Sequence, residues 1–200
     1  SHAALALAAL EAGKHVIAEK PLCLTEDELD RIVAARGDRQ VLVGFNRRFA
    51  PATAAVIDHL AGAVGPRMVA IRVNAGAIPA DHWIQDPQEG GGRMIGEACH
   101  FVDLAAALVG SPPVRVAARG TGRADKSALL NDNVAVTLDF EDGSVATILY
   151  TSEGSKAQPK ERVEVFAGGL SAVVDDFRSA TLFSGSTGKK TVASGGQDKG

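Results

Sequence analysis

Residues 1–44 alternate between helix-forming segments and short apolar runs, and no other feature constrains the fold as strongly. Residues 3–12 are rich in alanine and leucine, which favour a helix, and Gly13 follows where a C-cap glycine is common. Residues 15–18 are a short apolar run, which is typical of a strand buried in a parallel sheet. The chain is therefore predicted to open with one helix–strand step of an α/β fold.

A second helix–strand step follows directly. Thr25 and Glu28 have the spacing of a capping box at a helix N-terminus, and Gly37 ends the predicted helix. Residues 41–43 predict the second strand. This order is that of half a doubly wound sheet. A sheet of only two parallel strands has nothing to cover both of its faces. We therefore expect residues 1–44 to need further residues upstream or a partner.

The pattern changes after Gly44 to one of separate helices and alternating strands. Helices are predicted over residues 50–60 and 94–109, and Asp142-Gly143 predicts the turn of a β-hairpin. The strand candidates are residues 68–74, 114–119, 134–140, 145–150, 162–167, 171–174 and 180–183. Antiparallel strands with helices on one face predict an α+β domain over residues 45–200, incomplete at its C-terminus. We expect its glycine-rich tail, residues 184–200, to be a solvated hairpin or loop.

Charge and cysteine content exclude several classes of function. The net charge of −3 gives no basic patch for nucleic acid, and no apolar run reaches the length of a membrane span. Cys23 and Cys99 form neither a metal-ligand spacing nor a disulfide framework. We therefore expect a cytoplasmic protein with reduced thiols and no nucleic-acid or membrane partner.

The segment from Ala12 to Leu22 is the first candidate for chemistry. Lys20 follows the first predicted strand at its carboxyl end, where ligands bind in open α/β sheets, and Pro21 favours extended backbone at Lys20. From the residues alone, the alternative is a surface lysine beside a turn.

Two further segments carry polar side chains in suggestive positions. Glu97, His100 and Asp103 are three residues apart on a predicted helix, so two acids could orient the imidazole and tune its pKa. The alternatives are a partly exposed polar face and a metal site, and the second is disfavoured because no other cluster completes a ligand set. Residues 46–48, Asn-Arg-Arg, could meet a cofactor or an anionic substrate, or could form a hinge with an inter-domain salt bridge.

Taken together, these segments resemble the Gfo/Idh/MocA family of oxidoreductases. Residues 12–22 match its Ala-Gly-Lys-His-Val…Glu-Lys-Pro signature, residues 44–49 match Gly-Phe-Asn-Arg-Arg-Phe, and residues 90–103 match the Gly-Gly…His-x-x-Asp helix, in the expected order. The resemblance implies that residues 1–44 are the end of a dinucleotide-binding Rossmann domain. It also implies that residues 45–200 form a substrate-binding and oligomerisation domain with a large open sheet.

The resemblance implies hydride transfer between NAD or NADP and a CH–OH group of a sugar, a cyclic polyol or a related compound. It implies a homo-oligomer formed through the open sheet, and no metal. The site residues that it implies are, for catalysis, Lys20, His100 and Glu97; for the cofactor, His2, Glu19, Lys20, Pro21, Asn46 and Arg48; and for the substrate, Lys20, His100, Asp103 and Trp83.

The sequence departs from the family pattern in three ways. The glycine-rich phosphate-binding fingerprint is absent, so we expect a piece of a longer polypeptide that is inactive in isolation. Gly96 stands where the family has an aspartate, and Glu97, one residue later, is the candidate substitute. Gly-Glu-x-Cys-His resembles a subgroup fused to an alcohol-dehydrogenase-like half. The missing acid keeps open a non-catalytic binding or oligomerisation module as the alternative function.

Overall fold

The computed structural model describes residues 2–122, 131–193 and 195–200, which form two sheets. The smaller sheet is built from the first four elements of the chain: α1 (His2–Glu11), β1 (Val16–Ala18), α2 (Glu26–Arg36) and β2 (Val41–Val43). Strands β1 and β2 pair in parallel, with Val16 opposite Val41. The predicted helix–strand–helix–strand order is confirmed.

Helices α1 and α2 pack with the small sheet around Leu7, Leu10 and Ile32. The side chains on the opposite face of the strands are not covered, since Ile17 is 83% exposed and Leu42 is 52% exposed. In the described residues the two strands are thus covered by helices on one face only, the situation in which we expect residues 1–44 to need further residues or a partner.

The capping box at the start of α2 is present in a shifted form. The Thr25 hydroxyl accepts a hydrogen bond from the Glu28 amide at 3.2 Å, as the spacing predicts. The Glu28 carboxylate accepts from the Leu24 amide at 2.8 Å, one residue before the expected position. Two backbone donors at the helix start are thereby satisfied.

The larger sheet has eight strands in the order β10-β9-β8-β7-β3-β6-β5-β4. The strands are β3 (Met68–Asn74), β4 (Pro113–Gly120), β5 (Val134–Phe140), β6 (Val145–Thr151), β7 (Glu161–Ala167), β8 (Leu170–Asp175), β9 (Ser179–Ser184) and β10 (Gly188–Ala193). Neighbouring strands are antiparallel except β3 and β6, which are parallel. The open, mainly antiparallel sheet is confirmed, as is the hairpin of β5 and β6.

Helices α3 (Pro51–Leu60) and α4 (Cys99–Val109) cover one face of this sheet. Their apolar side chains and the inward residues of the strands form the main core. On the other face, Met68, Leu149 and Phe166 are exposed. None of the helices in the described part of the chain combines the length and the apolar character that crossing a bilayer requires.

The chain before α4 departs from the expected single helix. Residues 92–93 are α-helical, Met94–Ala98 is a π-helix, and α4 continues from Cys99. A π-helix bonds residues five apart rather than four, so side chains spaced by three no longer lie in one row. Such turns are frequent at functional sites.

The C-terminal tail begins with a hairpin, one of the two expected forms. Residues 188–193 form the edge strand β10, and nearly all described residues of the tail are exposed, as predicted. Beyond β10, Gln197 donates to the Asp176 carboxylate and Lys199 donates to Glu161, two contacts that the sequence did not indicate.

Candidate active site

Lys20 connects the two sheets. It follows β1, its peptide bond to Pro21 is cis, and its Nζ donates to the Gly96 carbonyl oxygen at 2.8 Å. Gly96 lies in the π-helix that precedes α4. Two of the sequence motifs, 76 residues apart, therefore meet at a direct hydrogen bond.

An open pocket of about 630 Å³ surrounds this contact. Its walls include the carboxyl end of β1, the start of α2, the loop after β3 and the π-helix. Of the residues predicted for the site, His2, Lys20, Pro21 and Trp83 line it. The His2 ring Nδ1 is 2.7 Å from the Pro21 carbonyl oxygen.

His100 lies in the first turn of α4 and is 6% exposed. Its ring packs edge-on against Phe45, with ring centroids 5.9 Å apart. Nδ1 is buried and has no hydrogen-bond partner among the described residues. Burial, followed by the positive charges of Arg47 and Lys20, lowers the pKa of His100, the carboxylates of Glu161 and Glu97 oppose this, and the net pKa is about 4. The imidazole is therefore neutral at pH 7.

Arg47 is a buried cation near this histidine. It donates two hydrogen bonds to Glu161, at 2.7 and 2.9 Å, and its guanidinium carbon lies 4.8 Å from the centre of the Phe101 ring. Lys199 donates to the same carboxylate at 2.6 Å. Burial raises the pKa of Glu161, but the hydrogen bonds from Arg47 and Lys199 outweigh it and leave the pKa below its ordinary value.

Glu97 is held by three donors. Lys160 and Tyr150 each donate to its carboxylate at 2.5 Å, and Arg93 donates at 3.1 Å. Burial raises the pKa of Glu97, but these bonds lower it to about 2. The same carboxylate, together with burial, raises the pKa of Tyr150. Glu97 is a permanently charged acceptor in this arrangement, not a group placed to exchange protons near neutral pH.

The surroundings of Gly96 are tightly packed at the position where the family pattern has an acid. A Cβ on Gly96 would lie 2.9 Å from Cδ1 of Ile84 and 3.3 Å from the Gly90 carbonyl oxygen. The Gly96 carbonyl itself binds Lys20. At this point of the chain a neutral backbone oxygen, not a carboxylate, faces the lysine.

The expected row of Glu97, His100 and Asp103 is not formed. Glu97 points towards strands β6 and β7, whereas Asp103 forms a two-bond ion pair with Arg48. The π-helix is the physical reason, because it rotates Glu97 relative to the α-helical residues that follow. The prediction that two acids flank the imidazole on one stripe is wrong.

Asp103 and the remaining residues predicted for the cofactor lie away from the Lys20 pocket. Asp103 lines a neighbouring, mainly apolar pocket of about 560 Å³ beside α4, which shares Pro21, Leu22 and Cys23 with the Lys20 pocket. Asn46 accepts a hydrogen bond from Arg47 at 3.4 Å. Glu19 is exposed and packs against Gly44, so that a Cβ there would lie 3.2 Å from its carboxylate oxygen.

Several residues of the site were not singled out from the sequence. Glu161 was missed although it precedes Val163 and Val165 in alternation, which places a carboxylate on the buried face of β7. That position was a usable signal, because a charge on a buried face must be paired. The sequence indicates Arg47 only as one of the three residues 46–48 that could meet a cofactor or an anionic substrate, and nothing local distinguishes it from Arg48.

Comparison with known proteins agrees with this architecture. Residues 1–46 match the family model of the Gfo/Idh/MocA NAD-binding Rossmann fold, and residues 60–169 match the model of a Gfo/Idh/MocA C-terminal domain. The chain is 31% identical over 190 residues to the uncharacterized oxidoreductase YrbE of Bacillus subtilis, covering 90% of this chain and 54% of YrbE. It is 28% identical over 189 residues to myo-inositol 2-dehydrogenase of Thermotoga maritima, covering 91% of this chain and 55% of that protein.

A solved structure of levoglucosan dehydrogenase in complex with NADH and levoglucosan superposes with a TM-score of 0.79 at 25% identity. The match covers 97% of this chain and 58% of that one. The chain thus spans a little over half the length of these relatives.

The fold places the chain among proteins in which a Rossmann-type parallel sheet precedes a large open sheet. Within that class the chain belongs to the Gfo/Idh/MocA oxidoreductase family, as its sequence motifs indicate.

Proposed function

We propose that this chain forms the reaction centre of an NAD(P)-dependent oxidoreductase that acts on a CH–OH group of a sugar or cyclic polyol. One observation carries the proposal: Lys20 is fixed on the carbonyl of Gly96, four residues before the neutral His100, at the wall of a pocket that also contains Trp83. An ammonium and an imidazole are the groups that removal of hydride from an alcohol requires beside the cofactor.

The bound nicotinamide would supply the hydride chemistry itself. The pocket fits such a group, because Pro21, His2 and Lys20 lie at the carboxyl edge of the parallel strands, where cofactors bind in this type of sheet. Lys20 would orient the substrate hydroxyl and stabilise the negative charge that develops on its oxygen. His100, being neutral, is in the form that accepts the hydroxyl proton.

Glu97 has a positioning role in this proposal, not a catalytic one. Its bonds to Lys160 and Tyr150 attach the π-helix to strands β6 and β7. The π-helix in turn presents the Gly96 carbonyl to Lys20. Asp103 would act similarly by fixing Arg48 against α4.

The test of the proposal is steady-state kinetics on the whole protein with NAD and NADP over a panel of sugars and polyols. Lys20→Ala and His100→Ala should each lower kcat by at least about a hundredfold while the far-ultraviolet circular dichroism stays unchanged. Turnover near the wild-type rate in both variants would refute the assignment.

A second candidate is a module that binds cofactor without turnover. The observation that favours it is Gly96, whose surroundings are tightly packed where the family pattern has an acid. Calorimetric binding of NADH together with the absence of turnover over the whole panel would support this candidate. Hydride transfer to any one substrate would eliminate it.

We further propose that two copies associate through the open face of the large sheet. Met68 and Phe166 are direct cross-strand neighbours, and both are exposed. Leu149, which pairs with Arg72 further along β3, is exposed as well. Exposed apolar clusters of this kind commonly mark contact surfaces. Sedimentation velocity should show an oligomer that Phe166→Glu shifts towards the monomer.

The two free cysteines, Cys23 and Cys99, and the negative net charge support a cytoplasmic setting without a nucleic-acid partner.

A further inference from the structure

The proposed hydride step does not use Glu161, a carboxylate that lies at the start of β7 with 0% of its side chain exposed. It accepts two hydrogen bonds from Arg47, at 2.7 and 2.9 Å, and one from Lys199 at 2.6 Å. Two cations therefore share one anion, with one positive charge in excess. We call these three residues the buried charge cluster. An unbalanced charge in a protein interior acts on its neighbours more strongly than one in water does.

The tail of the chain holds Lys199 in this cluster by contacts of its own. The Gln197 side chain donates to the Asp176 carboxylate at 2.9 Å, and the Asp198 amide donates to the same β8–β9 turn at 3.1 Å. The turn is in turn bound to the cluster, because the Asp176 carboxylate accepts from the Glu161 amide at 3.2 Å. Lys199 is thus placed beside Glu161 by backbone and side-chain bonds as well as by charge.

The cluster lies directly behind His100. The Arg47 guanidinium carbon is 4.8 Å from the centre of the Phe101 ring, and Phe101 follows His100 in α4. Phe45, two residues before Arg47, packs edge-on against the His100 ring. The segment that joins the two sheets therefore touches the first turn of α4 at two adjacent side chains. The place of the His100 ring depends on where Arg47 is held.

Four charged groups act on His100 from the elements around it. Arg47 belongs to the joining segment, Lys20 to the end of β1, Glu161 to β7 and Glu97 to the π-helix. After burial, which is the largest cause, the two cations lower the pKa of His100 and the two carboxylates raise it. Glu161 is thus connected to His100 both by contact, through Arg47, and by charge.

We infer that Glu161 and Lys199 are positioning residues of the reaction centre, which hold Arg47 against α4 and thereby fix the ring of His100 and the charge around it. Neither residue lines the Lys20 pocket, so contact with the substrate there is not their role. The inference rests on the proposed function, but the cluster itself can be tested without turnover.

The test is a pH titration of the His100 C–H signals by ¹H–¹³C NMR on the whole protein, with the signals assigned by their absence in His100→Gln. Lys199→Met removes the excess positive charge and should raise the pKa of His100. Glu161→Gln leaves two cations without their carboxylate and should lower it. Each change should alter the acid dissociation constant of His100 by at least about twofold, in opposite directions.

Lys199→Met decides the inference alone if Glu161→Gln does not fold. The Lys199 side chain is 22% exposed, and its loss leaves the pair of Arg47 and Glu161 intact. Lys199→Arg keeps the charge and should restore the wild-type titration. The matched control is Lys190→Met, which removes an exposed lysine from the edge strand β10 and should leave the titration of His100 unchanged.

Kinetics on the substrate panel separates positioning from a general loss of structure. In Lys199→Met the acid limb of kcat/KM against pH should move to higher pH by the same amount as the NMR pKa of His100. A general loss of structure would instead lower kcat/KM by one factor at every pH. Lys199→Arg should show the wild-type profile.

An unchanged titration of His100 in Lys199→Met, or an equal shift in Lys190→Met, would overturn the inference and leave the proposed function standing. Shifts of the same sign in Lys199→Met and Glu161→Gln would overturn it as well. A pKa that moves without the acid limb would refute His100 as the base and not the cluster. If the whole protein turns over nothing in the panel, the proposed function fails, and the NMR titration still decides whether the cluster fixes the charge around His100.

Discussion

Replacing Arg47 with methionine should raise the pKa of His100, and the structure sets the size of the change. The pKa of His100 is about 4, compared with an ordinary value of 6.5. Burial is the largest cause and persists in the variant, so only the part that comes from the Arg47 charge is recovered. We therefore expect a rise of the His100 pKa that stays below the full difference of about 2.5 between these two values, with each pH unit equivalent to about 1.4 kcal/mol.

The assay is a pH titration of the imidazole C–H signals by ¹H–¹³C NMR. The chain has five histidines, and His100→Gln identifies the His100 signal by its disappearance. Arg36→Met, which removes an exposed arginine from the last turn of α2, is the matched control and should leave the pKa of His100 unchanged. A wild-type His100 that titrates near 6.5, or one that does not respond to Arg47→Met, would refute the electrostatic reasoning.

The same lowered pKa predicts a pH dependence of stability. The unfolded chain takes up this proton at about pH 6.5 and the folded chain only at about pH 4. The contribution of neutral His100 to the free energy of unfolding is therefore fully present above pH 6.5. It is lost as the pH falls from 6.5 to 4, and the loss is at most about 3 kcal/mol. Denaturant unfolding at several pH values should show this loss, and the difference between the wild type and His100→Gln isolates it from other titrating groups.

Three further substitutions test the neighbouring structure, each by chemical denaturation. Gly96→Ala should lower the free energy of unfolding by about 1–3 kcal/mol, because a Cβ there would meet Ile84 at 2.9 Å. The loss should be smaller in an Ile84→Ala background, and strictly additive losses would contradict the contact. Glu97→Gln should lower the free energy of unfolding by about 2–4 kcal/mol at neutral pH. In the wild type alone, the charged Glu97 should contribute stability above pH 4.5, and this contribution should be lost as the pH falls towards 2. Thr25→Ala should cost about 1 kcal/mol and Thr25→Ser much less, since serine keeps the capping oxygen; equal losses would argue against the cap.

The fold was predictable where local signals and tertiary structure agree. The capping residue Thr25, Gly37 at the end of α2 and the Asp142-Gly143 turn each act within a few residues, and each lies where the sequence indicated. The π-helix was not predictable, because Met94–Ala98 has an ordinary helical composition. The docking of Lys199 on Glu161 depends on a contact between residues 38 apart, which no periodicity records.

The candidate site likewise contains residues that the sequence identified and contacts that it could not predict. The motifs identified Lys20 and His100, and the sheet topology predicted that a lysine after β1 would face a ligand pocket. The partners of Glu97 could not be read from the sequence, since Tyr150 lies on β6 and Lys160 directly precedes β7, and the register of these strands is set only in the folded sheet.

The acid–base state of His100 is therefore a tertiary property, although the residue itself belongs to a local motif. An acid next to the imidazole would have raised its pKa, which is what the sequence spacing suggested. The folded chain instead ties Glu97 to Lys160 and leaves burial and the Arg47 charge to dominate. Two proteins with the same motif but different groups at these outer positions would hold the histidine in different protonation states at one pH. Identity of the motif residues thus does not fix the chemistry, and the charges that surround them have to be located in each structure.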